Sequence, residues 1–212
     1  GNYLNDYEIE TISDAINEIT KTVDIFVCAS LGALNIAQLL KLKSSGLIRY
    51  HHNIETSEKF YPKIVSTHSF HERIDTIKAA KCAGLEVCSG GIIGLGESWD
   101  DRISMALLLK ELNVDSVPLN VLVPISGTPF QDRNLISPSD AIKTIAIFRT
   151  ILVDKTIKIA AGRETILKDF QAMAFMAGAN GMLTGGYLTI KGRSVEEDQK
   201  LISCISDMWD EN

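Results

Sequence analysis

The sequence predicts an α/β fold, about six βα units of an eight-stranded TIM-type (β/α) barrel, and three observations predict it. Short apolar runs alternate with amphipathic segments, at strand-to-strand spacings of about 25–40 residues, as parallel strands joined by crossover helices require. Right-handed crossovers bring the C-terminal end of every strand to one face. At or near those ends stand Cys28, Asn53 with Glu55, Cys88, Asn120 and Arg163, contributed by successive strands. A doubly wound sheet gathers its site at one crevice, whereas contributions from consecutive strands suit a barrel mouth. The third observation is length. A usual barrel takes about 250 residues. The 212 residues here therefore read as a single partial barrel domain, 1–212, short of two βα units.

The elements follow in order. Residues 6–22 carry Ile9, Ile12, Ile16 and Ile19 at helical spacing. Asp24 to Ala29 is an apolar run too short for a helix, hence a buried strand. Leu34 to Lys43 reads as a helix stopped at Gly46, and Leu47 to Ile54 as the next strand. A helix over Glu72 to Ala83 ends at Gly84 and feeds the strand Leu85 to Cys88. After it come a helix from Asp100 to Leu112, a strand from Ser116 to Val123 and a loop from Pro124 to Leu135. Ser137-Pro138-Ser139-Asp140 combines a hydroxyl cap with proline in the first turn, and opens a helix to about Leu152. Thr156 to Ala161 is a strand, Thr165 to Ala177 a helix, Gly181 to Thr184 a short strand, and Val195 to Met208 the last helix.

Composition bounds the function. With 45% hydrophobic residues the chain can bury one substantial core. A formal charge of -6 of mixed sign argues against a nucleic-acid surface or a basic membrane patch. No apolar run reaches the length of a membrane span, and no signal peptide is expected ahead of the first helix. Four scattered cysteines, Cys28, Cys82, Cys88 and Cys204, do not make a secreted disulfide scaffold, so a reducing cytoplasm is expected. A chain beginning at Gly1 is expected to be a piece of a longer one.

The chain is organised around Glu86-Val87-Cys88-Ser89-Gly90-Gly91-Ile92-Ile93-Gly94-Leu95-Gly96-Glu97. A short strand there opens into glycines that let backbone approach a ligand closely, with a cysteine where the strand gives way. Gly94-Leu95-Gly96-Glu97-Ser98-Trp99 lacks the third glycine of a dinucleotide fingerprint. Cysteines on buried strands read by themselves as small hydrophobes before they read as ligands. An arginine at a strand end suggests a carboxylate clamp.

Six stretches together carry a resemblance. They are Val27-Cys28-Ala29-Ser30-Leu31-Gly32, Tyr50-His51-His52-Asn53-Ile54-Glu55-Thr56-Ser57, residues 87–97, Val117-Pro118-Leu119-Asn120-Val121-Leu122-Val123, Ala161-Gly162-Arg163-Glu164 and Phe175-Met176-Ala177-Gly178-Ala179-Asn180. In that order and spacing the chain resembles the biotin synthase family of radical S-adenosylmethionine (SAM) enzymes. The match begins at the third strand of the barrel, giving strands 3–8. The family's three-cysteine loop, which holds the SAM-cleaving [4Fe–4S] cluster, is not among these residues, and neither is a further upstream cysteine.

The resemblance implies sulfur insertion into dethiobiotin, with SAM, a [4Fe–4S] cluster and an auxiliary iron–sulfur cluster of [2Fe–2S] or variant type. It implies a flavodoxin- or ferredoxin-type electron donor and a homodimer. Cys28, Cys88 and Arg163 correspond to auxiliary-cluster ligands. Asn53, Glu55, Arg73, Ile92 and Val123 correspond to SAM contacts, and Asn53 and Asn120 to substrate contacts. His51 and Glu55 depart from the family's Asn and Asp. Glu97 is expected to tie down the glycine loop. The chemistry is radical, so no acid–base pair is assigned. A hydrogenase maturase, a methylornithine synthase or a catalytically dead barrel fragment are the alternative readings.

Overall fold

The computed structural model describes residues 3–186 and 192–208. Its elements are α1 (Asp6–Thr22), β1 (Val27–Ala29), α2 (Ile36–Ser44), β2 (Leu47–His51), α3 (Phe70–Cys82), β3 (Glu86–Cys88) and β4 (Gly91–Ile93). These are followed by α4 (Trp99–Glu111), β5 (Ser116–Val121), α5 (Pro138–Ile151), β6 (Thr156–Ile159), α6 (Arg163–Leu167), α7 (Gln171–Met176), β7 (Gly181–Met182) and α8 (Val195–Asp207).

The strands pair in parallel in the order β1-β2-β3-β5-β6-β7, with β4 also on β5. This is the arc of a (β/α) barrel that the alternation predicts, with β1 and β7 at its edges among the described residues. Residues pointing outward from the strands, Tyr50, Val87, Val117, Leu119, Ile157 and Ile159, are buried in one core. Their partners there come from the helices and include Leu39, Leu42, Ile77, Leu109, Ile145 and Phe148. The alternate positions are polar. Arg49, His51, Cys88, Ser116, Asn120, Thr156 and Lys158 share the inner face by the two-residue period of a strand. One face apolar and the other polar is the pattern of a barrel whose interior is used rather than filled.

Three elements differ from the sequence expectation. The strand expected over residues 24–29 shortens to β1, leaving Ile25 and Phe26 56% and 82% exposed at the sheet edge. The glycine stretch carries a second strand segment, because the chain pairs again beyond Ser89 and Gly90. There Ser89 N donates to Ser116 O at 2.9 Å, and Gly90 O accepts from Ile54 N at 3.0 Å. Thus β3 and β4 are two halves of one barrel position. The helix expected over 165–177 divides into α6, a 3₁₀ turn at Lys168–Phe170, and α7. Lys168 breaks it by taking φ 48°, a left-handed value no helix interior accepts.

Candidate active-site chamber

A chamber of about 490 Å³ opens on the inner face of the arc, lined among others by Asn53, Glu55, Arg73, Cys88, Asn120 and Lys158. Each is delivered by local structure. Beyond β2 the chain crosses to the glycine stretch, where Glu55 bridges Gly91 and its carbonyl accepts from Ile92 N at 2.8 Å. Glu55 holds φ 69° there, a strained conformation for a non-glycine residue, of the kind found at binding sites.

Gly90 lacks a side chain for a physical reason. A Cβ there would meet the backbone carbonyl oxygen of Pro118 at 2.0 Å, far inside van der Waals contact, so only glycine lets the two strands lie this close. Asn53 Oδ1 accepts from Gly90 N at 3.1 Å, which ties the end of β2 to the loop. Asn120 ties the other side, donating from Nδ2 to Gly91 O at 3.2 Å while Oδ1 accepts from Ala161 N at 3.2 Å. Both amides are therefore held in fixed orientation by backbone. Glu97 anchors the same loop from below. Its Oε1 accepts from Gly94 N at 2.9 Å and from Arg102 Nε at 2.7 Å, the anchoring role expected of it.

Arg73 reaches the chamber from α3. Its Nε donates to Tyr61 Oη at 2.8 Å, and one terminal nitrogen donates to Asn53 O at 2.9 Å and Glu55 Oε1 at 3.3 Å. Burial pushes the Glu55 carboxyl above its usual range, with the guanidinium of Arg73 pulling the other way. His51 and His52 are both lowered, His52 to about 4, chiefly because burial disfavours the imidazolium. His52 Nε2 is buried without a partner.

Cys88 lies buried in β3 in register with His51 and Ser116. Burial pushes its thiol up, against the pull of the Lys158 cation. Cys28 sits across β2 from it, in register with Arg49, and is exposed at the sheet edge. Arg49 gives its own fork to Glu86 at 2.9 and 2.5 Å. Soft thiolates suit an iron–sulfur cluster. The buried Cys88 thiol at the chamber wall fits such a group, and fixed amides beside the carboxylate of Glu55 fit polar ligands. The two thiols are part of a ligand set only. Among the described residues no group of three or more His, Cys, Asp or Glu forms a complete metal site.

The structure thus gathers Asn53, Glu55, Arg73, Cys88 and Asn120 at one chamber. Ile92 is half-buried in β4, in register with Asn120, and Val123 lies two residues past the end of β5. Neither is part of the chamber lining.

Arg163 is displaced from the expected place. It starts α6, after Gly162 turns the chain at φ 82°, and its guanidinium is buried among protein partners. Nε donates to Leu183 O at 3.0 Å, one terminal nitrogen to Glu164 at 2.5 Å and to Gln171, and the other to Asp198 at 2.6 Å. These bonds tie α6, α7 and α8 together. The cation that does line the chamber is Lys158, five residues earlier in β6. The sequence signal for it was available: Lys158 stands between Ile157 and Ile159, so the period of a strand turns it to the opposite face from two core residues.

Residues 2–121 match the radical SAM superfamily, and residues 118–204 match the biotin and thiamin synthesis associated domain. The biotin synthase of Thermotoga neapolitana is 52% identical over 95% of this chain and 72% of its own length. That of Thermotoga petrophila is 50% identical, with 98% and 70% covered, and that of Syntrophus aciditrophicus is 48% identical, with 95% and 62% covered. Among solved structures, a methylornithine synthase superposes with TM-score 0.75 at 20% identity, covering 95% of this chain and 63% of its own. A [FeFe]-hydrogenase maturase from Carboxydothermus hydrogenoformans superposes with TM-score 0.78 at 20% identity, covering 96% and 53%. At such identities the structural likeness speaks for the barrel fold alone. The sequence likeness, near half identity over almost the whole chain, goes further: this chain belongs to the biotin synthase family of the radical SAM superfamily.

Proposed function

We propose that the protein to which this chain belongs converts dethiobiotin to biotin, and that these residues form the wall against which the substrate, SAM and the sulfur source are held. When bound, the SAM-cleaving [4Fe–4S] cluster supplies hydrogen-atom abstraction and the auxiliary iron–sulfur cluster supplies sulfur. The residues described here bind and orient. Cys88 and Cys28 offer thiolates to the auxiliary cluster. Asn120 and Asn53 present amides to the ureido ring and to the amino-acid head group, their orientation already set by backbone hydrogen bonds. Glu55 takes ribose hydroxyls, and Arg73 takes the SAM carboxylate while bracing Glu55. Ile92 and Val123 flank the adenine. A flavodoxin or ferredoxin delivers electrons in the reducing cytoplasm, where free thiols persist.

The observation that carries this reading is the convergence of a buried thiol, two anchored amides and an Arg–Glu pair on one chamber. Positioning of this kind is what a protein adds to cofactor-driven chemistry. Incubating the full-length protein anaerobically with dethiobiotin, SAM and a reductant is expected to yield biotin. Failure to form biotin, with SAM still cleaved, would favour another radical SAM reaction on the same barrel.

A further inference from the structure

Two ion pairs among the described residues have both side chains less than a tenth exposed, Arg102–Glu97 and Arg163–Asp198. Burying opposite charges costs desolvation that their attraction barely returns, so apolar side chains of similar size would hold a fold about as well. What charge adds is direction. Arg102–Glu97 shows the use, since through Glu97 it holds the backbone of the glycine loop at Gly94 N. Arg163–Asp198 stands beside β7, whose end supplies Leu183 to the chamber lining.

Backbone hydrogen bonds say what this pair holds. β7 is two residues long and, among the described residues, pairs with β6 alone. Leu183 N still donates to Ile159 O at 3.0 Å, and there the sheet ends. Beyond it, Leu183 O accepts from Arg163 Nε at 3.0 Å, and Gly185 N donates to Asp198 Oδ2 at 2.7 Å. One buried pair thus meets a carbonyl and an N–H of a single turn, which neither partner could do alone. Glu164 and Gln171 fix the guanidinium from the side, and Arg193 fixes Glu164 in turn at 3.0 Å. Leu183 is the largest aliphatic side chain in a mostly polar lining. Behind it, over residues 160–165, lies a void of about 30 Å³, room for one water. Without the pair, Leu183 has space to fall back and the chamber loses its shape there.

We infer that Arg163 and Asp198 are positioning residues for substrate binding: clamped on the turn after β7, they keep Leu183 forward as an apolar wall of the chamber. The inference rests on the biotin synthase reading for the substrate, dethiobiotin, whose alkyl portion needs such a wall. Neither residue of the pair lines the chamber itself. The clamp works through Leu183, so it acts on binding and leaves the radical steps and iron–sulfur ligation to other groups.

The test uses the full-length protein, reconstituted anaerobically with iron and sulfide. Wild type is compared with Arg163→Met, Arg163→Lys, the double variant Arg163→Met/Asp198→Leu and the core variant Leu109→Ala. Unfolding curves, iron content, and KM and kcat for dethiobiotin are read. No biotin from wild type would bring down the biotin synthase reading itself; with biotin formed, the variants judge the clamp alone. Arg163→Met leaves a buried carboxylate unanswered and loses stability, which the double variant regains by removing both charges. In both, KM for dethiobiotin is expected to rise about tenfold, the equivalent of one hydrogen bond to a charged group, with kcat and iron content kept. Leu109→Ala opens a cavity in the core away from the chamber, and is expected to lose stability with KM unchanged. A wild-type KM in the stable double variant, or an equal rise in Leu109→Ala, overturns the inference in favour of a purely structural pair. Should both Met-bearing variants fail to fold, Arg163→Lys decides. One ammonium can pair with Asp198 but cannot reach Leu183 O as well, so KM still rises; a wild-type KM there overturns the clamp.

Discussion

Asp198 has no exposed surface, and one of its oxygens accepts from Arg163 at 2.6 Å and from Gly185 N at 2.7 Å. Its other oxygen has no partner. Removing the guanidinium would leave a buried carboxylate nearly unanswered, a loss of about 3–5 kcal/mol by analogy with other broken buried pairs. Arg163→Met is therefore expected to lower the unfolding free energy of the full-length protein, read from urea curves, by that much while its iron content per folded chain stays at the wild-type level. Lost iron with unchanged stability would return Arg163 to the chamber. At this scale the sequence told residue type better than residue place. Asn53, Glu55, Cys88 and Asn120 were legible because each sits where a strand hands over to a loop, with glycines marking the close approach. Arg163 was not, because Gly162 turns the chain at φ 82° and the next side chain is buried against Leu183, Gln171 and Asp198. Cysteines off the strands offer the contrast: Cys82 closes α3 and Cys204 lies in α8, both exposed. Replacing either with serine is expected to leave iron and sulfide content unchanged, whereas Cys88→Ala reduces both.

At the scale of elements, the break between β3 and β4 is what lets β2, β4 and β5 meet around Asn53 and Asn120. Gly90→Ala would push a methyl group into the Pro118 carbonyl. Overpacking of this kind costs about 1–3 kcal/mol, and here it should also spread the strands that aim the two asparagines. The variant is expected to melt lower than wild type; an unchanged melting temperature would mean that the close approach is not needed. Helix starts are specified just as locally. Asn5 with Glu8, Asn35 with Gln38, Ser69 with Glu72, Ser98 with Asp101 and Ser194 with Glu197 all close reciprocal capping boxes. The sequence shows each pair at three-residue spacing. Ser137-Pro138 is the sharper signal, since proline marks a first turn more clearly than a hydroxyl alone.

Asp101 links one such box to the turn that follows Glu55, accepting from Ser98 N at 2.9 Å and from Ser57 Oγ at 2.5 Å. Slight burial raises its carboxyl, but the hydrogen bonds from Ser57 and Ser98 outweigh it and the net shift is downward. A depressed folded value means the carboxylate's stabilisation is present above the unfolded value near 3.8 and is lost as pH falls through the lower folded one. Asp101→Ala is thus expected to cost about 1 kcal/mol at neutral pH, the usual worth of a cap. In acid the variant and wild type should converge, which unfolding curves taken between pH 2 and about 5 would show.

Across the whole molecule, alternation gave parallel strands with crossover helices, and polar residues at successive strand ends decided for a barrel over a doubly wound sheet. Strand ends were less legible. Apolar side chains at Ile25 and Phe26 look like strand, but with β1 at the edge they face outward. An unpaired edge beside an 82% exposed phenylalanine is a template for association. The 212-residue chain by itself is expected to elute from size exclusion as higher species, and Phe26→Lys to shift it toward the monomer. A monomer already in the parent chain would count against a sticky edge.

On the proposed function, the polar inner face of this arc holds the sulfur source against Cys88. Anomalous scattering at the iron edge from anaerobic crystals of the full-length protein measures this most directly. An iron peak is expected inside the chamber, within bonding distance of the Cys88 sulfur. Iron found only elsewhere in the protein, with Cys88 facing an iron-free chamber, would overturn the proposed function.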